Sequence, residues 1–211
     1  MSGGKDVKRG RWQILLAAAL FLLALGLTLY PVVSNWYIGR HQSQIQTEYR
    51  EVLEQTDSAE IESIRKRAVA YNKTITPGAA EEAYSQASIR LALEDYVNQL
   101  NVSGSGIMGY VEIPKIGADL PIYHGTGADS LDRGTGHLLG SSLPVGGEST
   151  HTIITGHSGM ASQKMFTDLE QLREGDTFYL HVLDETLAYE VRAIHTVLPH
   201  DTTYLGIEPG E

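Results

Sequence analysis

Three hydrophobic patterns follow one another along the chain. Residues 12–33, WQILLAAALFLLALGLTLYPVV, are apolar almost without a break, which matches the roughly 20 residues a helix needs to cross a bilayer. The run exceeds the ~7–15 apolar residues of a cleavable signal peptide, and no small-x-small cleavage site follows it. Tyr30, Trp36 and Tyr37 lie at its far end, where aromatic rings favour the membrane interface. From about Gly39 to Tyr71 the apolar residues thin out to Ile45, Tyr49, Val52, Leu53, Ile61, Ile64 and Val69 at helical spacing. That spacing predicts two membrane-proximal helices, broken at Thr56-Asp57-Ser58, with Asp57 or Ser58 as the cap of the second. Thr76-Pro77-Gly78 reads as a turn. A third helix is expected from about Ala79 to Leu100, followed by a short flexible link at Ser103-Gly104-Ser105-Gly106.

Beyond Gly106 the period shortens. Residues 109–113, 120–123, 136–139 and 150–155 are short, β-branched or aromatic-rich, and bounded by Gly and Pro, the pattern of strands. A short helix is expected over Gln163 to Leu172. Residues 178–183 and 187–198 then read as a hairpin turning at Asp184-Glu185, with Arg192 in the middle of its second strand. Six strands with one small helix predict a mostly β domain, a barrel or a sandwich.

Charge adds direction. The 26 acidic and 16 basic residues give a net charge of −10, so no basic stripe is available to neutralise phosphates and no nucleic-acid partner is expected. Lys5, Lys8, Arg9 and Arg11 crowd the segment before the apolar run. The positive-inside rule therefore predicts a single-pass membrane protein with a cytoplasmic N-terminus and its main domain outside the cell. The lipid bilayer is the expected partner of residues 12–33.

There is no cysteine, hence neither a disulfide framework nor a thiolate metal site. Eight histidines invite a metal reading. His151 and His157 lie too far apart on an extended segment to share an ion, and no H-E-x-x-H spacing occurs. No metal and no cofactor are expected. The most informative local feature is Thr150-His-Thr-Ile-Ile-Thr-Gly-His-Ser-Gly159, where an apolar strand runs into Gly156 and then presents His157. Glycines on both sides let the backbone turn and leave the imidazole exposed at a strand end, where a general acid/base meets substrate. A surface turn that happens to contain a histidine fits the pattern equally well.

Longer stretches decide between these. MGYVEIPKI (108–116), LPIYHGT (120–126), GTGHLLGSSLPVGGESTHTIITGHSG (134–159) and KMFTDLEQLREGDTFYLHVLDETLAYEV (164–191) resemble, in order, the catalytic domain of class C (pilin-polymerising) sortases. The resemblance implies a sortase-like β-barrel of eight strands, of which about six fall within this sequence, preceded by a transmembrane helix and an N-terminal helical region. The family's catalytic histidine occupies the T-G-H position, here His157. Its partners are pilin or surface proteins bearing LPxTG-like sorting signals. A cysteine thiolate attacks the Thr–Gly bond and forms a thioacyl-enzyme, the histidine handles the amine protons, and an arginine on the last strand holds the oxyanion or the substrate backbone.

The cysteine and arginine of the family lie beyond the point matching Gly210, so this sequence is expected to be inactive as it stands. Ser158 is adjacent to His157 rather than facing it and is no substitute nucleophile. The Asp-Pro-aromatic lid motif of class C members is absent too, leaving either other lid residues around 74–80 or no plug. An ectodomain begun near residue 38 is expected to be unstable, because a barrel short of two strands exposes unpaired edges. The expected divisions are 1–11 cytoplasmic, 12–33 membrane anchor, 34–106 helical lid region and 107–211 partial barrel. The alternative is a non-catalytic membrane-anchored protein that binds sorting signals or serves as a scaffold.

Overall fold

The structure is a computed structural model that describes residues 3–76, 78–80, 90–159 and 164–206. Helix α1 runs from Gly3 to Gln55, and the chain divides into two compact units at Arg40 and His41.

In the first unit, α1 is long and apolar enough to cross a membrane, with a mean hydropathy of 2.3 over its most apolar window and none of that window buried. Its few polar groups are handled locally. The Thr28 hydroxyl donates to the Ala24 carbonyl at 2.8 Å, which satisfies it within the helix. The Arg40 guanidinium lies 5.7 Å from the centre of the Trp36 ring. The spacing pattern placed a helix start near Gly39, but the structure has none there. Gly39 alone costs a helix only about 1 kcal/mol relative to alanine, and neither a cap nor a proline accompanies it.

In the second unit the last turns of α1 bring Tyr49 down onto Ile107 and Tyr123, with Ile45 and Leu53 beside it. The Tyr49 hydroxyl donates to the Met108 carbonyl at 3.1 Å and accepts the Leu183 N–H at 3.0 Å. Burial pushes its pKa up to about 12. Helix α2 covers Ser58–Asn72 and begins where the sequence placed it, with the Asp57 carboxylate accepting the Ala59 N–H at 2.7 Å. Ile61, Ile64 and Ala68 form its buried face. Helix α3 is described over Arg90–Asn98. Of the third helix expected over about 79–100, residues 79–80 are also helical, 81–89 lie outside the described residues, and Gln99 and Leu100 form a turn beyond its end.

The strands are β1 (Ile107–Ile113), β2 (Ala118–His124), β3 (Thr135–His137), β4 (Ile154–Thr155), β5 (Thr177–Val182) and β6 (Glu185–Glu190). A one-turn helix α4, Ala128–Leu131, precedes β3. The strands form one sheet in the order β4-β3-β2-β1-β5-β6, curled into a half-barrel. Only β2–β3 is parallel; the other pairs are antiparallel. Met108, Val111, Ile113, Leu120, Ile122, Leu180 and Val182 build the core, which Ile61, Ile64, Ala68 and Tyr96 of the helices complete.

Three expected elements come out shorter. The strand read over 150–155 pairs only at Ile154–Thr155. The helix read over 163–172 is described as a single 3-10 turn at Leu169–Gln171. The second hairpin strand stops at Glu190, so Arg192 lies exposed beyond it rather than mid-strand. Alternation runs on past the last residue that has a strand partner, and a single chain does not reveal where its partner ends.

Candidate active site

His157 stands two residues beyond the end of β4, as a half-exposed imidazole past the strand end. Its side chain is 41% exposed. What holds the turn is close approach. A Cβ on Gly156 would lie 2.8 Å from the Phe166 ring and 3.2 Å from the Thr135 methyl, so only glycine lets the strand end pass over them. Gly159 takes a φ of +74°, the left-handed conformation glycine tolerates. The turn is pinned from the far side, where the His157 carbonyl accepts the Phe166 N–H at 3.1 Å. The Thr167 hydroxyl likewise accepts the Gly159 N–H at 3.0 Å. Lys164 anchors that support, donating to the Ile116 carbonyl at 2.9 Å and pairing with Asp168 at 2.8 Å.

Among the described residues the imidazole has a carboxylate neighbour in Asp132, just after α4, whose Oδ1 lies 4.0 Å from His157 Nε2. That is beyond hydrogen-bond length, an electrostatic neighbour for an imidazolium rather than a fixed orienting partner. Ser158 is exposed and follows His157 along the chain. His151 is turned to other work: its Nδ1 lies 2.8 Å from the Gly206 carbonyl. Among the described residues no group of three or more His, Cys, Asp or Glu side chains is placed to hold a metal ion.

An apolar cleft of about 530 Å³ opens into the half-barrel, lined by Val111, Ile113, Ile154, Phe166, Leu180 and Tyr189, with His151 at its edge. His157 is not among its lining residues. The cleft lies against the core face of the sheet, and His157 stands outside it.

Sequence reasoning missed a second polar cluster, fully buried under the helices. His137 of β3 has Nδ1 2.9 Å from the Tyr96 hydroxyl and Nε2 2.8 Å from the Ser142 carbonyl. A carbonyl only accepts, so the neutral ring carries its proton on Nε2, and Nδ1 faces the Tyr96 hydroxyl, which also donates to the His137 backbone carbonyl at 2.9 Å. Burial lowers the pKa of His137 to about 4, and the same burial raises that of Tyr96. Ser141 and Ser142 close the cluster by accepting the Ile153 and His151 N–H groups. From α2, the Asn72 side chain donates to the Leu143 carbonyl at 3.1 Å and accepts its N–H at 2.7 Å. Nothing in the local sequence distinguished His137 from an ordinary strand residue. Its role comes from α3, which is distant in sequence.

The fold and the glycine-flanked strand-end histidine define a sortase domain. Residues 111–211 match the Sortase domain family. The chain is 42% identical to Streptococcus pneumoniae Sortase C, covering 79% of this chain and 83% of that one at a TM-score of 0.68. It is 38% identical to sortase C1 of Streptococcus agalactiae, covering 79% and 84% at a TM-score of 0.72. Sortase D of Bacillus subtilis (strain 168) is 33% identical over 100 residues, 47% of this chain. The chain spans about half the length of that curated relative, 48%. The chain belongs to the sortase family, and its structural neighbours include class C sortases.

Proposed function

We propose that this chain contributes the acid/base histidine of a pilin-type sortase, with His157 as that group. One observation carries the reading. Thr-Gly-His occurs twice, at 135–137 and 155–157, and of the two only the second histidine reaches solvent at a strand end. In this reading His157 protonates the departing amine when the Thr–Gly bond of an LPxTG-like sorting signal breaks, and later takes a proton from the incoming amine. Residues 1–11 stay in the cytoplasm, 12–33 anchor the chain in the bilayer, 34–106 form the helical region over the domain, and 107–211 carry the chemistry outside the cell.

The sequence contains no cysteine, so these residues alone supply no thiolate and the thioacyl route is closed to them. The test has two arms. The chain reconstituted in lipid vesicles is expected to leave an LPxTG peptide uncut. A chimera in which residues 107–206 replace the matching stretch of Streptococcus pneumoniae Sortase C, retaining the remainder of that protein, is expected to transfer the peptide to an amine acceptor. A chimera that melts cooperatively yet transfers nothing contradicts the proposal. Peptide binding by the chain alone, without turnover, favours a non-catalytic sorting-signal receptor instead.

A further inference from the structure

Tyr96 packs between two histidines that are register partners on adjacent strands, His124 of β2 and His137 of β3. It lies edge-on to the first at 5.1 Å and roughly parallel to the second at 5.7 Å. His137 is the neutral, singly donating partner described above. His124 meets a different environment. Its Nδ1 lies 2.9 Å from the Gly106 carbonyl and its Nε2 2.7 Å from the Gln99 carbonyl. Both partners are backbone oxygens, which only accept. A neutral imidazole has one N–H, so one of its nitrogens would turn a lone pair toward a carbonyl lone pair at hydrogen-bond distance. Only the doubly protonated ring satisfies both contacts.

The carbonyls belong to the two ends of one crossover. Gln99 immediately follows α3, where backbone oxygens are left without helical partners and positive charge is favoured. Gly106 immediately precedes β1. Between them the backbone is tightly turned, with φ of +56° at Leu100, +70° at Gly104 and +81° at Gly106. The loop is closed further by the Gly106 N–H donating to Asn101 Oδ1 at 3.0 Å and by the Val102 N–H donating to the Leu100 carbonyl at 3.1 Å. The backbone N–H of His124 also donates to the Gly106 carbonyl, at 3.2 Å. The Ser103–Gly106 stretch, read from sequence as a flexible link, is therefore tied down at both ends, and one imidazole does much of the tying.

We propose that His124 resides in this fold as the imidazolium and acts as a protonation-dependent clasp that holds the Gln99–Gly106 crossover, and with it α3, against the end of β2. Deprotonation removes one N–H and leaves a carbonyl facing a lone pair, so the clasp opens on that side. The titratable groups around it are Tyr96 on α3, His137 on β3, and Asp95, whose carboxylate accepts the Gln99 side-chain amide at 3.3 Å. Tyr96 and His137 are both uncharged near neutral pH. Among the described residues no carboxylate forms an ion pair with His124, so the charge is held by backbone dipoles. The sign follows from linkage: the fold binds a proton that the opened crossover binds less well, so the clasp is closed while the ring is charged and is lost as pH rises.

The test uses the full chain in detergent micelles, labelled with 15N at its histidines. Long-range proton–nitrogen correlation distinguishes a ring with two N–H groups from a neutral one with a bare nitrogen, and the spectrum of His124→Gln identifies the signal. At a pH where the exposed histidines read as neutral in the same spectrum, His124 is expected to retain two protonated nitrogens. Hydrogen exchange on the unmodified chain, corrected for intrinsic base catalysis, supplies a second readout that needs no variant. Protection of the Val102 and Gly106 amides is expected to fall at least about tenfold more than that of β5 as pH rises through the His124 transition. A His124 ring with one bare nitrogen wherever the fold persists overturns the proposal. So does crossover protection that passes through the transition unchanged.

Discussion

Two stretches of this chain read identically and end in opposite places. Thr135-Gly136-His137 forms β3, and its threonine and histidine are wholly buried. Thr155-Gly156-His157 closes β4, and its histidine stands half-exposed past the strand end. The two are neighbours, since Gly136 pairs with Thr155 and His137 with Ile154 across an antiparallel ladder. What separates them is what lies on top. α3 lowers Tyr96 onto the first histidine, and Ser141 and Ser142 finish enclosing it. The second projects beyond the last paired residue of β4, where Phe166 and Thr167 hold its backbone and Asp132 lies 4.0 Å from its ring. A histidine sealed among fixed partners is a structural hydrogen-bonding unit. One whose backbone is fixed while its ring remains accessible meets the geometric requirement of the acid/base role proposed for His157.

The largest effect expected from breaking this contrast is on stability. His137→Ala takes the ring N–H from the buried Ser142 carbonyl and opens a void beside Tyr96, whose hydroxyl keeps the backbone carbonyl of residue 137. Thermal or denaturant melts of the full chain in micelles should show a loss of about 3 kcal/mol or more. His157→Ala in the same assay should change stability by no more than about 0.5 kcal/mol. Equal losses at the two positions would remove the distinction.

Acid should act through the same buried ring. His137 ordinarily titrates at 6.5 and is lowered to about 4 in the fold, chiefly by burial. Below the ordinary value the unfolded chain takes up a proton that the fold refuses. Its contribution is therefore whole above about 6.5 and is lost as pH falls toward 4, on the order of 3 kcal/mol in all. Denaturant midpoints at several pH values should show this slope, and His137→Gln should flatten it.

A smaller effect is expected at the exposed end. Gly156→Ala drives a methyl against the Phe166 ring and should cost about 1–3 kcal/mol, read from a melt. If the cost is nil, Phe166 yields freely and the His157 turn is held less firmly than its contacts indicate. The smallest change is expected at the surface. Arg65 pairs with Asp184 and Glu185 at the β5–β6 turn, but both carboxylates are about half exposed, and Arg65→Ala should cost less than about 1 kcal/mol.

Much of this was legible in the residues, for identifiable reasons. The apolar run from Trp12 is readable because its length and unbroken apolarity match what a helix needs to cross a bilayer. The α2 start was readable because Asp57 caps it through its own side chain. β1, β2 and β5 announced themselves by dense apolar residues bounded by glycine and proline. The strand ends did not, because β4 and β6 stop where their partners stop, and pairing is not written in the strand itself. His157 stood out as a candidate through its flanking glycines, though the reason for Gly156 lies in Phe166, ten positions on. The clasp at His124 and the seal around His137 were invisible for a common cause. Each depends on α3 meeting the sheet, and no local pattern encodes the meeting of distant segments.

The chimera with Streptococcus pneumoniae Sortase C allows the most direct measurement: its rate of peptide transfer with and without His157→Ala, taken at a temperature where both proteins are folded. Loss of a positioned acid/base predicts a fall of at least about a hundredfold with the melt unchanged. An unaltered rate would contradict the assignment of His157 and leave the second Thr-Gly-His as no more than an exposed turn.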